Sequence, residues 1–230
     1  MDRNLLTQLN EERAARRAVI LVTDLSSGED RLVREGEPVE GELGPVIERG
    51  FRSGRSQSAK VDGHDVFLNV HVPPARLVVI GAVHISQALA PMARIAGFDM
   101  QVIDPRTAFA TPERFTDVEL VAEWPEDALE SKPLDAYTAL AAVTHDPKID
   151  DFALKAALEA GCFYVGALGS RKTHAKRVDR LLSLGLSQAH IDGIASPIGL
   201  DIGAASPQEI AVAILAEIIS ALRKREVAGP

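Results

Sequence analysis

The chain has 230 residues, a formal net charge of -8, 46% hydrophobic and 25% charged residues, and one cysteine. This composition is typical of a globular protein with a sizeable core. The negative charge disfavours a nucleic-acid partner, because phosphate binding needs a basic face. A single cysteine, Cys162, excludes an internal disulfide, and the sequence shows no metal-ligand spacing. Without a signal-peptide pattern or an apolar run of about 18 residues, we expect a cytoplasmic protein with no membrane span.

The first 74 residues predict a small α+β domain. Leucines at helical spacing predict a helix over 4–17, and a short apolar strand follows it. Alternating apolar residues on both sides of Asp62-Gly63 predict a β-hairpin. Pro73-Pro74 removes two backbone donors and forces an extended link, so we place a domain boundary after residue 74, with the second domain over 75–230.

Short apolar strands alternate with helical segments in the second domain. The predicted strands are 77–80, 100–103, 118–121, 136–143 and 163–165, and the predicted helices are 84–96, 149–160, 170–184 and 207–225. This alternation predicts an α/β fold, a Rossmann-like parallel sheet with helices on both faces. Ligands of such folds bind at the carboxyl ends of the strands, so the loops that follow the strands form the candidate site.

The loop after the first of these strands lies where a dinucleotide fingerprint would stand. Gly81 occupies the first glycine position, but Val83 and Ser86 stand where the other two glycines are needed. Two interpretations stay open, namely phosphate binding at the helix N-terminus and a plain strand-to-helix turn.

Asp104-Pro105-Arg106 follows the next strand, at the distance from the glycine loop that a Rossmann pattern gives to a ribose-binding carboxylate. Asp104 is therefore a candidate for a ribose diol, and Arg106 is a candidate for bidentate contact with a phosphate. The alternative for Asp104 is a capping role before a proline turn.

Thr144-His145-Asp146-Pro147 is a polar cluster at the end of an apolar strand. His145 is the candidate acid, base or hydrogen-bond donor to a ligand, and Thr144 lies beside it. Asp146 is assigned mainly to N-capping of the next helix, with Pro147 at its first position.

Two further loops complete the candidate site. Gly169 and Ser170 begin a helix, where free backbone N–H groups together with Arg171 and Lys172 predict an anion site; a solvated helix end with two basic residues is the alternative. The loop that contains Gly199, Asp201 and Gly203 is too apolar for a simple surface connection. We expect Asp201 to be buried and this loop to fold over the ligand.

Four stretches resemble a known family in order and spacing. They are THDPK (144–148), GALGSRKT (166–173), PIGLDIGA (197–204) and SPQEIAVAILAEI (206–218). They are similar to the C-terminal Rossmann domain of XdhC/CoxI proteins, which are accessory factors of xanthine dehydrogenase, carbon monoxide dehydrogenase and related molybdenum hydroxylases. The similarity covers roughly residues 76–223.

The resemblance implies an accessory protein or chaperone, without catalytic residues, that binds the molybdenum cofactor, a molybdopterin with or without a nucleotide. It implies protection of the cofactor during sulfuration and delivery to a molybdenum hydroxylase apo-enzyme, with a cysteine desulfurase as a second partner. The apolar C-terminal helix leads us to expect a homodimer. The candidate cofactor-binding residues are Gly81, His84, Asp104, Arg106, Thr144, His145, Asp146, Gly169, Ser170, Arg171, Gly199, Asp201 and Gly203.

The chain departs from the family pattern in two places. The family's glycine loop commonly reads Gly-Ala-Gly-His-x-Gly; His84 is retained, whereas Val83 and Ser86 replace glycines. The bulk of Val83 disfavours the alternative function, an NAD(P)-binding oxidoreductase; a protein-interaction module is the third possibility. The family's Gly-Gly-Cys-x-Glu segment has no match within residues 1–74, so the N-terminal assignment depends on position alone.

Overall fold

The computed structural model of the chain describes residues 2–225. The chain divides into two compact units. Among the described residues, the first contains 2–73 together with 223–225, and the second is Pro74–Leu222. The longest helices within residues 2–225 are not apolar enough over a sufficient length to cross a membrane.

The first unit is a four-stranded antiparallel sheet with two helices. Its elements are α1 (Arg3–Ala14), β1 (Val19–Asp24), β2 (Asp30–Arg34), α2 (Leu43–Ser53), β3 (Gln57–Val61) and β4 (His64–His71), and the strand order is β2-β1-β4-β3. Helix α1 packs through Leu9 against Val19 and Leu21 of β1. Gly50 lets α2 approach Ile20 closely, because a Cβ there would lie 2.9 Å from the Ile20 Cδ1. The predicted hairpin is confirmed, since β3 and β4 pair across Asp62-Gly63.

The second unit is a six-stranded parallel sheet covered by helices. Its elements are β5 (Arg76–Ile80), α3 (His84–Ile95), β6 (Asp99–Ile103), β7 (Glu119–Val121), α4 (Pro125–Ser131), β8 (Thr138–Ala142), α5 (Pro147–Glu159), β9 (Tyr164–Ala167), α6 (Arg171–Ser183), α7 (Gln188–Ile191), β10 (Ile194–Ala195) and α8 (Pro207–Lys224). The strand order β10-β9-β8-β5-β6-β7 reverses between β5 and β8, as in a Rossmann fold. The predicted α/β fold class is therefore confirmed, whereas α4, α7 and β10 are additions that the hydrophobic pattern did not indicate.

Alternate residues of the strands form two cores. Leu77 of β5 packs with Leu89 of α3 and Ile214 of α8 on one face of the sheet. Ile80 of β5 packs with Leu154 of α5 on the other face. Burial on both faces explains why these strands are continuously apolar.

The strands end at a common level. Ile80 at the end of β5 is paired with Ile103 of β6 and with Ala142 of β8, and Ala142 is paired with Ala167 of β9. The loops after these four strands therefore leave the sheet side by side along its carboxyl edge.

Candidate functional site

The loop after β5 is closed by contacts within the chain. Gly81 has a φ of +121°, and a Cβ there would lie 2.8 Å from the Thr144 Cγ2, so only glycine fits this position. The buried hydroxyl of Ser86 donates to the Gly81 carbonyl. Val83 has an extended backbone, with φ -109°, which a β-branched residue adopts without strain. The two replaced glycines thus belong to a self-contained turn, at whose end the exposed His84 begins α3.

Asp104, just after β6, is fully buried and forms four hydrogen bonds with its own chain. Its Oδ2 accepts from the Ala82 amide at 2.8 Å and from Arg106 Nη2 at 2.8 Å, and its Oδ1 accepts from the Arg106 amide and Nε, each at 2.9 Å. Burial alone would raise the pKa of Asp104, but the hydrogen bonds from Arg106 and Ala82 outweigh it and lower this pKa. A carboxylate has about four acceptor sites, so the capacity of Asp104 is taken up.

The loop after β8 combines a tight hydrogen-bond network with one exposed side chain. Thr144 Oγ1 donates to Asp150 Oδ1 at 2.7 Å and accepts from the Asp146 amide at 2.9 Å. The Asp146 carboxylate accepts from the Lys148 amide at 3.0 Å, which confirms the predicted N-cap of α5. Between them His145 is exposed and has a left-handed backbone, with φ +64°.

Asp150 lies beneath this loop and is 2% exposed. Burial raises the pKa of its carboxyl to about 6, although the Thr144 hydrogen bond and the charge of Arg177 partly oppose this shift. The neighbouring Asp151 is paired with Arg180, whose Nε and Nη2 lie 2.5 and 3.0 Å from its two oxygens. Asp150 is therefore a carboxyl group that changes charge near pH 6.

A pocket of about 270 Å³ lies beside His145, between the beginnings of α5 and α6. We call it the basic pocket; its lining residues are His145, Pro147, Asp150, Lys172, Thr173, Lys176, Arg177 and Arg180. The cationic residues of α6 recur four residues apart, at Lys172, Lys176 and Arg180, and therefore share one helix face. Sequence reasoning placed Lys172 in a predicted anion site but left out Lys176 and Arg180, although their spacing was visible.

The predicted anion site at the start of α6 is arranged differently from the expectation. Gly169 has a φ of +136°, and Ser170 caps α6 by accepting from the Thr173 amide at 3.3 Å. Of the two basic residues predicted there, Lys172 lines the basic pocket, whereas Arg171 is exposed and does not line it.

The loop after β10 contains a packing glycine and an exposed tip. Gly199 lies against α8, where a Cβ would be 3.1 Å from the Ala213 backbone, and its amide donates to Glu217 Oε2 at 2.7 Å. The expectation that Asp201 is buried is wrong, since Asp201 is exposed together with Ile202 and Gly203. The apolar residues of this tip suggested burial, but Ile202 is itself 54% exposed.

The structure brings one group of the predicted site residues together. Gly81 lies against Thr144, Asp104 holds the Gly81 loop through the Ala82 amide and binds Arg106, and Asp146 acts electrostatically on Arg106. Gly199 belongs instead to the opposite face of the sheet, where its neighbour Ile198 joins the core of α3 and α8.

The cysteine and the possible metal ligands do not extend this site. Cys162 is half-buried, and burial raises the pKa of its thiol to about 12, which suppresses the nucleophilic thiolate. The His, Cys, Asp and Glu side chains in the described part of the chain form no cluster of three that could hold a metal ion.

Comparison with known families and curated proteins gives consistent matches. The model of the XdhC Rossmann domain matches residues 77–218. A Bacillus subtilis (strain 168) protein, named as a probable xanthine dehydrogenase subunit, is 35% identical over 162 residues, covering 70% of this chain and 47% of that protein. The "Molybdenum cofactor insertion chaperone PaoD" of Escherichia coli (strain K12) is 32% identical over 148 residues, covering 64% and 40%.

A solved structure extends the likeness to nearly the whole chain. The crystal structure of a xanthine dehydrogenase from Bacillus halodurans has a TM-score of 0.64 and 28% identity, and the match covers 99% of this chain and 66% of that one. This chain spans less than half the length of the two curated relatives named above. The matched segment 77–218 is more than half of this chain and includes every loop of the candidate site. The chain therefore belongs to the XdhC family, whose Rossmann domain forms its second unit.

Proposed function

We propose that this chain is an accessory protein that binds the molybdenum cofactor and supports its sulfuration and its insertion into a xanthine dehydrogenase-type apo-enzyme. Membership of the XdhC family supports the accessory role, and so does a relative that is a molybdenum cofactor insertion chaperone. The observation that carries the proposal is the conformation and exposure of His145 at the carboxyl edge of the sheet.

A left-handed backbone at a non-glycine residue costs on the order of 1–2 kcal/mol. His145 has this conformation although glycine would adopt it without cost, and its imidazole is exposed rather than packed in the core. Strain of this kind concentrates at ligand sites, because binding depends on the side chain that is held there. His145 is therefore the residue that we assign to hydrogen bonding with the cofactor.

The surroundings of His145 fit a phosphate-bearing pterin. The basic pocket lies directly beside His145 and offers cationic side chains from α6. Its volume of about 270 Å³ is slightly below the usual size of small-molecule sites, about 300–1,000 Å³. Such a pocket accommodates the anionic end of the cofactor, while the larger ring system lies along the open carboxyl edge. The bound group would supply the molybdenum chemistry, and this chain would hold and release it.

The alternative function, NAD(P)-dependent oxidoreduction, is disfavoured by Asp104. The carboxylate that would bind a ribose diol is fully buried and already accepts four hydrogen bonds. The hydroxyl of Ser86 also stands in the turn where a dinucleotide needs glycine. We also propose a molybdenum hydroxylase apo-enzyme and a cysteine desulfurase as the partners of this chain, and a homodimer as its assembly.

The proposal is tested by anaerobic equilibrium binding of molybdenum cofactor, NAD and NADP to the purified chain. We expect selective binding of the molybdenum cofactor, and we expect His145→Ala to weaken it without changing thermal stability. His190→Ala is the matched control, because His190 is also exposed but lies on α7. Binding of NAD or NADP alone would overturn the proposal, and equal retention by His145→Ala would remove His145 from the site.

A further inference from the structure

The charges that line the basic pocket do not balance. Four cationic side chains, Lys172, Lys176, Arg177 and Arg180, face one buried carboxyl group, Asp150. Arg180 is neutralised by its bidentate contact with Asp151. Asp150 supplies at most one negative charge, so at least two positive charges of the pocket stay uncompensated by the residues that line it.

Lys172 and Lys176 are both exposed and form no ion pair with any residue that the structure describes. Their ammonium groups stand one helical turn apart on the same face of α6. Like charges at this spacing repel each other, so the arrangement is unfavourable for the helix alone. An anion between them would remove this repulsion.

Arg177 gives the pocket a buried cation. The residue is 2% exposed, and its guanidinium is fixed by Nη2 donating to the Leu168 carbonyl at 2.8 Å and by Nη1 donating to Ser196 Oγ at 3.4 Å. Its Nε is buried and has no hydrogen-bond partner among the described residues. Neither of the oxygens that hold Arg177 is charged, and the carboxylates of Asp150 and Asp151 act on it electrostatically without a direct hydrogen bond. A buried cation that no anion contacts directly is costly.

We propose that the basic pocket is a subsite for a phosphate monoester, with Lys172, Lys176 and Arg177 as its binding residues. A phosphate monoester carries a charge of about -1.5 to -2 at neutral pH and offers three acceptor oxygens. This matches the excess positive charge of the pocket better than a carboxylate, which carries one charge. In the molybdenum cofactor, the phosphate would be the part that the basic pocket holds. That identification rests on the proposed function, whereas phosphate binding by the pocket does not.

The experiment is isothermal titration of the whole purified chain with glycerol 3-phosphate as the probe, at low ionic strength. We expect saturable binding, a loss of about tenfold in affinity for Lys176→Gln, and no measurable binding for the double variant Lys172→Gln/Lys176→Gln. Lys148→Gln is the matched control, since Lys148 is an exposed lysine near the start of α5 that does not line the pocket. Both substituted lysines are exposed, so the variants are expected to fold normally.

The outcomes separate this inference from the proposed function. Absence of saturable binding, or equal binding by the double variant, overturns the phosphate subsite even if the molybdenum cofactor still binds. Binding of glycerol 3-phosphate that depends on both lysines, in a chain that does not bind the molybdenum cofactor, supports the subsite and overturns the cofactor proposal. Loss of both ligands in the double variant supports the two together.

Discussion

Two regions at the carboxyl edge of the same sheet differ in whether their charged side chains are paired within the chain. In the adjoining loops after β5 and β6, Ser86 closes the first turn, and Asp104 and Arg106 are hydrogen-bonded to each other. In the basic pocket, Lys172 and Lys176 lack ion pairs among the described residues, and the buried Arg177 keeps one unpartnered nitrogen. Buried polar groups are stable when the chain itself provides partners. An unbalanced set of charges therefore indicates where a ligand would provide them.

This difference matters because the first region is the usual nucleotide position of a Rossmann fold. There the polar groups that could bind a nucleotide are hydrogen-bonded to one another, so the turn stabilises the ends of β5 and β6. The region beside it keeps an exposed histidine and a basic pocket. The comparison favours ligand binding on the α5 and α6 side of the reversal in strand order.

The largest effect is expected when the self-contained region is broken. Asp104→Ala removes a fully buried carboxylate and leaves the Arg106 guanidinium and the Ala82 amide without their acceptor. Removing one partner of a buried pair costs about 3–5 kcal/mol. The free energy of unfolding of the second unit should fall by about 3 kcal/mol. It is measurable by urea unfolding followed by the fluorescence of Trp124, the chain's single tryptophan, which lies in that unit.

Asp201→Ala provides the comparison for this variant, because Asp201 is exposed in the same unit. Its effect should stay within about 0.5 kcal/mol. If Asp104→Ala were equally harmless and instead changed nucleotide affinity, Asp104 would belong to the ligand site and the contrast between the two regions would be lost.

The sequence predicted the strands and loops that position the site better than it predicted the side chains that form it. Strand-loop-helix alternation located the loops at Gly81, Asp104 and Thr144, because apolar strands and glycine turns depend on local pattern. The same reasoning could not show that Asp104 is satisfied by Arg106, since a side-chain pair two residues apart forms only in a particular turn geometry.

Most of the basic pocket, apart from His145 and Lys172, was missed for a related reason. The lysines of α6 have the spacing of one helix face, which is more commonly a solvated surface than a site. Their significance depends on α5 and its buried Asp150 lying opposite, and only the packed structure shows this. The prediction for Asp201 was wrong in the opposite sense, because it included a residue that the structure does not place in a site. Apolar neighbours suggested burial, but the loop tip is exposed.

An intermediate effect is expected at Asp150. Its folded pKa of about 6 is higher than the ordinary value of 3.8, so the folded state binds the proton more strongly than the unfolded chain does. The wild-type carboxyl therefore favours folding most below about pH 4, and this contribution is lost as the pH rises through about 6. Asp150→Asn keeps an acceptor for Thr144 and removes the titration.

Asp150→Asn should therefore gain about 2 kcal/mol in stability relative to the wild type between about pH 4 and pH 8. The measurement is urea unfolding of both proteins at these two pH values. The same change should strengthen glycerol 3-phosphate binding at the higher pH, because it removes a negative charge from the basic pocket. An identical stability difference at both pH values would mean that Asp150 titrates normally.

The smallest expected change in stability is at His145, where it distinguishes backbone strain from a role of the imidazole in binding. Replacing His145 by glycine should raise the free energy of unfolding by about 1 kcal/mol, because glycine adopts the left-handed conformation without the steric cost of a Cβ. His145→Ala should give no such gain, since alanine keeps the Cβ. Both variants should lose affinity for the molybdenum cofactor to the same extent if the imidazole is what binds it. A stabilised glycine variant with undiminished cofactor binding would show that the strained backbone at residue 145 serves the turn alone, and the contrast would then depend on the lysines of α6.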